Sequence, residues 1–265
     1  MMDTMNDTDT TFTRLTLERR DDGVRILTLN DPDKRNAIGP ELREELVAAG
    51  RALAADAEAR CLVVTGAGSA FCAGADLGQL FDVEGATPSA MRARQLSYYE
   101  SFLALRALPY PTVAAVHGPA VGAGLNLALV CDIVVAGPGA RFGVTFAKLG
   151  LHPGGGCTYY VTQRLGAGRA LRTILLGRTL GGEEACTLGL ADELADDPLA
   201  TAIATAERIA ALEPSLARDM KQAVAIAATG DFDATVGFEA HAQAASAFNP
   251  GVIEGIRAAG RTTRR

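Results

Sequence analysis

Two stretches of this chain run from a β-branched, apolar segment straight into a glycine-rich turn, and no other feature restricts the fold as much. In the first, residues 65–77 (TGAGSAFCAGADL), the run Val63-Val64-Thr65 stops at Gly66 and Gly68, so a buried strand ends in a turn. Small residues follow at Ala73, Gly74 and Ala75, which lets a ligand approach the backbone closely. In the second, residues 111–124 (PTVAAVHGPAVGAG), an apolar strand is broken by Gly118, Pro119, Gly122 and Gly124 before a short apolar segment around Asn126. A turn that opens a helix leaves N–H groups without intrahelical partners. Such fixed donors suit an anion or a developing oxyanion. One turn of this kind is explained by tight packing; two in one chain are more specific.

The 265 residues fit one large domain, or a domain with a helical extension. The net charge of −6 argues against a general nucleic-acid binder. No apolar run approaches the roughly 18–20 residues of a membrane span, so no membrane partner is expected. The start, MMDTMNDTDT, is polar and lacks an apolar signal core, and residues 1–11 are expected to be a loose tail. Five cysteines (Cys61, Cys72, Cys131, Cys157 and Cys186) are scattered without CxxC spacing. They indicate neither a disulfide frame nor a metal site, and they fit a reducing cytoplasm.

Residues 12–17 and 24–29 alternate apolar and polar positions around Arg20-Asp21-Asp22-Gly23 and predict a hairpin. Gly39-Pro40-Glu41 opens a helix whose stripe of Leu42, Leu46, Ala49 and Leu53 ends near Asp56. Strands are predicted at 61–65, 112–116 and 133–136, the last two flanking a short helix that carries Asn126. Residues 78–88 are mixed and predict a mobile connection. Helices are predicted over 89–108, 155–165, 169–176, 183–188, 198–211, 214–228, 231–247 and 252–259. Strands come early and helices late, the pattern of a mixed α/β chain, and no βαβ unit carries a dinucleotide GxGxxG.

Several groups of residues together resemble the crotonase, or enoyl-CoA hydratase/isomerase, superfamily. They are Asp33-Lys34-Arg35-Asn36-Ala37, residues 70–77 of the first turn, Gly122-Ala123-Gly124 followed by Cys131-Asp132-Ile133, His152-Pro153-Gly154-Gly155-Gly156, and residues 177–185 (GRTLGGEEA). The resemblance spans roughly residues 12 to 260. It implies a spiral core of repeated ββα turns over 12–197 and a helical C-terminal region over 198–265 that supports trimerisation. Trimers often pair into hexamers. The implied substrate is an acyl-CoA thioester; CoA belongs to the substrate, so no separate cofactor is implied.

The resemblance also places roles on residues. The backbone N–H groups of Ala75 and Ala123 align with those that hold the thioester carbonyl; Ala123 stands where many members have glycine, which keeps the N–H and adds one methyl. Lys34 and Arg35, with Ala37, Ala73, Asp76 and Leu77, align with the CoA-binding positions. Exposed cations in a turn suit phosphate on physical grounds as well. Asp76 also reads as a helix cap. The two glutamates that family hydratases use for water addition correspond here to Asn126 and Phe146, neither of which can accept a proton at useful pH. His152 is the leading replacement, since an imidazole suits proton transfer near neutral pH. Tyr98, Tyr99, Glu100, Tyr159 and Tyr160 are within possible reach of the pocket, whereas His117 and His241 read as packing or surface residues. Cys72 and Cys157 lie near the motifs with no identifiable base to make a thiolate. The expectation is an enzyme that stabilises a thioester enolate and is a poor hydratase. The alternative is an acyl-CoA-binding protein with little or no catalysis.

Overall fold

The computed structural model describes residues 12–81, 84–249, 251 and 252. Its strand order explains why the two glycine-rich turns meet. Strand β1 (Leu15–Arg19) pairs antiparallel with β2 (Val24–Leu29), from Leu15 opposite Leu29 to Arg19 opposite Arg25. The sheet then continues in parallel through β3 (Cys61–Gly66), β4 (Thr112–Val116), β6 (Ile133–Ala136) and β9 (Glu193–Leu194). Neighbouring parallel strands deliver the chain to the same end of the sheet. The turns that follow β3 and β4 therefore open side by side, where open α/β sheets hold their ligands.

Strands β3 and β4 are buried almost throughout because helices cover both faces of the sheet. One face packs against a large apolar core shared with α1 (Pro40–Ala55), α3 (Pro88–Leu103) and α4 (Ala123–Leu129). On the other, Val24, Ile26, Cys61, Val63, Val113, Ala115 and Val135 pack against Ala202 and Ala206 of α8 (Pro198–Ala210). Small residues on α8 let it lie close to the sheet.

A second sheet of three short strands orders β5 (Pro119–Val121), β7 (Arg141–Gly143) and β8 (Thr179–Gly181). Isolated parallel bridges from Cys72 to Ala120 and from Ile38 to Ala75 stitch the first glycine-rich turn between this sheet and the loop after β2. The remaining helices are α2 (Leu77–Leu80), α5 (Cys157–Leu165), α6 (Ala167–Leu175), α7 (Gly182–Leu188), α9 (Pro214–Thr229) and α10 (Phe232–Ser246), the last two packed on each other. Among the described residues, no helix is long and apolar enough to cross a membrane.

The sequence expectations differ from this at several points. The hairpin starts at Leu15, because Thr13 and Arg14 are engaged by a side chain of α1 instead. The helix expected over 89–108 ends at Leu103 and continues as a 3-10 turn, Ala104–Ala107. The helix expected from 155 begins at Cys157, because Gly155 and Gly156 hold φ of +64° and +84°. The irregular stretch 78–88 overlaps the short helix α2. Strands β5, β7, β8 and β9 were not expected, since two or three residues are too few to show a period. The tail 1–11 and nearly all of the helix expected over 252–259 lie outside the described residues.

Candidate active site

The loop after β2 is held by one side chain. Arg35 and Asn36 both adopt left-handed conformations, with φ of +51° and +56°. Such a pair is strained for L-residues, and asparagine tolerates the region best. Asn36 is fully buried. Its Oδ1 accepts from Asp31 N (2.9 Å), and its Nδ2 donates to the carbonyls of Ala67 (2.9 Å), Ala70 (2.9 Å) and Phe71 (3.2 Å). The loop is thereby fastened to the first glycine-rich turn, with Ala73 N donating to Arg35 O and Ile38 N to Gly74 O. Lys34 and Arg35 remain exposed on its outer side.

The two turns pack backbone to backbone. A Cβ on Gly124 would collide with the Cys72 carbonyl oxygen. One on Gly74, whose φ is +104°, would lie 2.6 Å from Val121 O and 3.7 Å from Ala123 N. Only glycine fits either position. Between the turns and α3 lies a cavity of about 380 Å³, a volume suited to a small ligand. Ala73, Gly74, Ala75 and Leu77 line it from the first turn; Gly122, Ala123 and Asn126 do so from the second.

Ala75 and Ala123 both line this space. Around Ala75, the bridge to Ile38 uses Gly74 O and Asp76 N. The N–H of Ala75 itself therefore points away from Ile38. Ala123 is the first residue of α4, and the first bond of that helix runs from Asn126 N to Gly122 O. Its N–H has no acceptor within the helix. Helix-start and turn N–H groups of this kind are donors that suit negative charge on a ligand oxygen.

The opposite wall is largely apolar and aromatic: Leu80, Phe81, Met91, Tyr98, Tyr99, Phe102, Phe146, Leu149 and Leu151. Phe146 lies in the turn after β7 and reaches within 3.9 Å of where a Cβ on Gly122 would stand. Asn126 is buried one helical turn after Ala123, and its Nδ2 donates to Gly154 O at 2.8 Å. Asn126 Oδ1 is buried without a hydrogen-bond partner. Tyr99 is half-buried, and burial pushes its phenol up from the ordinary value. His152 is exposed on the cavity lining, with Nδ1 2.7 Å from Pro153 O. A nitrogen facing a carbonyl carries the proton, so the lone pair of neutral His152 is on Nε2.

The structure thus brings Ala73, Ala75, Leu77, Ala123, Asn126, Phe146 and His152 to one cavity, whose lining does not include Lys34, Arg35, Ala37 or Asp76. Asp76 caps α2, accepting from Gln79 N at 3.4 Å. Lys34, Ala37 and Asp76 share a small surface recess next to it. Of the aromatic candidates, Tyr98 and Tyr99 line the cavity. Glu100 is exposed, Tyr159 lies under Arg106, and Tyr160 packs against the core. Burial pushes the thiols of Cys72 and Cys157 up to about 12, which makes neither a nucleophile. Gln95 and Thr145 also line the cavity and escaped the sequence reading, because no motif marks them.

A mixed α/β spiral whose adjacent glycine-rich turns line one cavity is the crotonase fold. The chain belongs to the enoyl-CoA hydratase/isomerase family, whose pattern matches residues 19–256. It is 45% identical over 183 residues to a Mycobacterium tuberculosis protein named probable enoyl-CoA hydratase EchA14, covering 69% of this chain and 70% of that one. It is 35% identical over 241 residues to the 1,2-epoxyphenylacetyl-CoA isomerase of Escherichia coli, covering 89% and 91%. The crystal structure of an enoyl-CoA hydratase from Bacillus anthracis superposes with a TM-score of 0.84 at 29% identity, covering 94% of this chain and 97% of that one.

Proposed function

We propose that this enzyme acts on an acyl-CoA thioester and stabilises its enolate between the N–H groups of Ala75 and Ala123. The close packing of the two turns at Gly74 and Ala123 supports this reading, since Ala75 and Ala123 both line the cavity. Each such donor is worth roughly 3–4 kcal/mol in a transition state bearing oxyanion charge. In this reading the nucleotide of CoA lies against the loop of Lys34, Arg35 and Ala37, and the thioester passes Ala73, Asp76 and Leu77. Arg35→Ala is expected to weaken acetyl-CoA binding without affecting an adenine-free thioester, as calorimetry would show.

Water addition is the least favoured of the family's reactions for this chain. Asn126 and Phe146 occupy the cavity where, by family resemblance, the hydratase carboxylates would stand. General acid–base groups typically contribute 10²–10⁴-fold. Crotonyl-CoA hydration should therefore fall orders of magnitude short of a rate near 10³ per second, the upper range for enzymes. Loss of the enoyl absorbance at such a rate would contradict this. His152 Nε2 is the proposed proton carrier for isomerisation or another enolate reaction. His152→Gln should lower turnover by about 10²-fold or more and change its pH profile, with folding retained because the side chain is exposed.

One observation favours a second reading. Among the described residues, the cavity lining contains no Asp or Glu, which suits a binder of acyl-CoA with little catalysis. Turnover of a broad thioester panel, measured beside binding of the same compounds, separates the two: binding without turnover across the panel selects the binder.

A further inference from the structure

Five aromatic rings line the cavity, and they come from three separate segments. Tyr98, Tyr99 and Phe102 stand on α3, Phe146 on the turn after β7, and Phe81 at the end of α2. The α3 rings hold one another. Tyr98 meets Tyr99 and Phe102 edge-on, with centroids 6.3 and 6.1 Å apart and planes at 73° and 75°, and Tyr99 lies 6.4 Å from Phe102 at 56°. At such separations and tilts the positive edge of one ring meets the negative face of another. Tyr98 and Phe102 are buried, so this packing fixes the half-buried Tyr99. Phe146 and Phe81 are half-buried as well, and among the described residues neither ring is paired with another. The tip of the Phe146 ring stands 3.9 Å from where a Cβ on Gly122 would lie, one residue before Ala123.

Resting on the acyl-thioester reading above, we infer that the acyl arm this cavity selects carries an aromatic ring. A saturated arm gains only from the apolar area it buries, whichever apolar groups surround it. A flat ring gains that area and also the ring contacts that Tyr99 and Phe146 have left to make. Met91, on the same lining, offers a sulfur to a ring edge. A ring also enters with fewer bonds to immobilise than a straight chain of equal carbon number. Among the described residues the lining has no Lys, Arg, Asp or Glu, so the ring it takes is uncharged. Enolate formation removes a hydrogen from the carbon next to the thioester carbonyl, and a ring bonded directly to that carbonyl leaves none there. The substrate class is therefore arylalkanoyl thioesters, with the ring set off by at least one saturated carbon.

Calorimetry with 3-phenylpropionyl-CoA, 3-cyclohexylpropionyl-CoA and nonanoyl-CoA, whose acyl groups share one carbon count, tests this. The cyclohexyl compound keeps a six-membered ring but has no π-system. The phenyl compound is expected to bind about fivefold more tightly than either of the others, although theirs are the more hydrophobic arms. Phe146→Leu and Tyr99→Leu each keep an apolar side chain and remove a ring, and each should bring the phenyl and cyclohexyl compounds to within about twofold. If one variant does not fold, the other decides; if neither folds, the wild-type comparison decides. A wild type that binds the cyclohexyl compound or nonanoyl-CoA as tightly as the phenyl compound overturns the inference and leaves the acyl-thioester reading intact. So does a fivefold preference that persists in a folded variant. Binding of none of the three overturns the acyl-thioester reading and this inference together.

Discussion

Asn36 shows how one buried amide can set the geometry of a site it does not enter. It spends its oxygen on Asp31 N and its nitrogen on three carbonyls of the first glycine-rich turn, from a left-handed conformation that alanine would adopt at a cost. Asn36→Ala should lower stability by about 3 kcal/mol and the Tm by roughly 5–10 °C, as thermal unfolding would show. A shift below a degree would mean the loop is held by its backbone bonds alone. Arg35→Ala, on the exposed side of the same loop, should leave the Tm unchanged. Residue roles of this kind are only partly legible in a sequence. The words around Ala75 and Ala123 mark both turns, and Asn126 and Phe146, which the resemblance aligns with the hydratase glutamates, both line the cavity. The bond from Asn126 Nδ2 to Gly154 O is invisible in the sequence, because it joins two segments through a contact that no spacing encodes.

Elements long enough to display a period are predicted well. α1 appears as its stripe of Leu42, Leu46, Ala49 and Leu53, all buried against the sheet. β5, β7 and β8 are three residues each and contain Pro119, Gly143 and Gly181, so tertiary pairing rather than local preference makes them strands. The start of β1 is likewise fixed from elsewhere. Glu45 on α1 accepts from Thr13 N, Thr13 Oγ1, Arg14 N and Leu15 N at 2.7–3.1 Å. Burial works against the charged carboxylate, but the hydrogen bonds from Thr13, Arg14 and Leu15 outweigh it and hold the carboxyl below its usual range. At the far end of α1, a hydrogen bond from the buried Arg25 likewise holds Asp56 low. A carboxyl depressed in the folded state stabilises the fold above its unfolded pKa and loses that contribution as pH falls through the folded value. Both contributions should therefore persist at neutral pH and disappear only below about pH 4. In urea unfolding from pH 7 to pH 3, Glu45→Gln should cost about 1 kcal/mol at pH 7 and flatten the acid limb. A variant with the wild-type slope would remove Glu45 from the account.

At the scale of the whole molecule, one chain leaves too much apolar surface in water at its C-terminal end. α10 has no buried residue, although Phe232 and Val236 lie on it. Phe232 is 80% exposed, and Phe248, just past the end of α10, is 87% exposed. Met220 and Val224 on α9 are 54% and 70% exposed. Burying a phenylalanine side chain is worth about 2 kcal/mol, and exposed apolar groups in such number mark an interface. The alanine-rich composition of α10 fits this, since small side chains allow a neighbouring helix to approach closely. α8, by contrast, already packs its small face on the sheet through Ala202 and Ala206, whereas α9 and α10 keep these apolar side chains exposed. The expected assembly is a trimer or a pair of trimers, observable by light scattering as three or six times the mass of one chain at micromolar concentration. Phe232→Glu combined with Phe248→Glu places two charges on this surface, at a desolvation cost of several kcal/mol if they are buried at a contact. The double variant should shift the distribution toward monomer while the fold of each chain persists, because neither side chain contributes to the core. A wild type that is monomeric at micromolar concentration would end the proposal. A double variant that keeps the wild-type mass would move the interface to a different face.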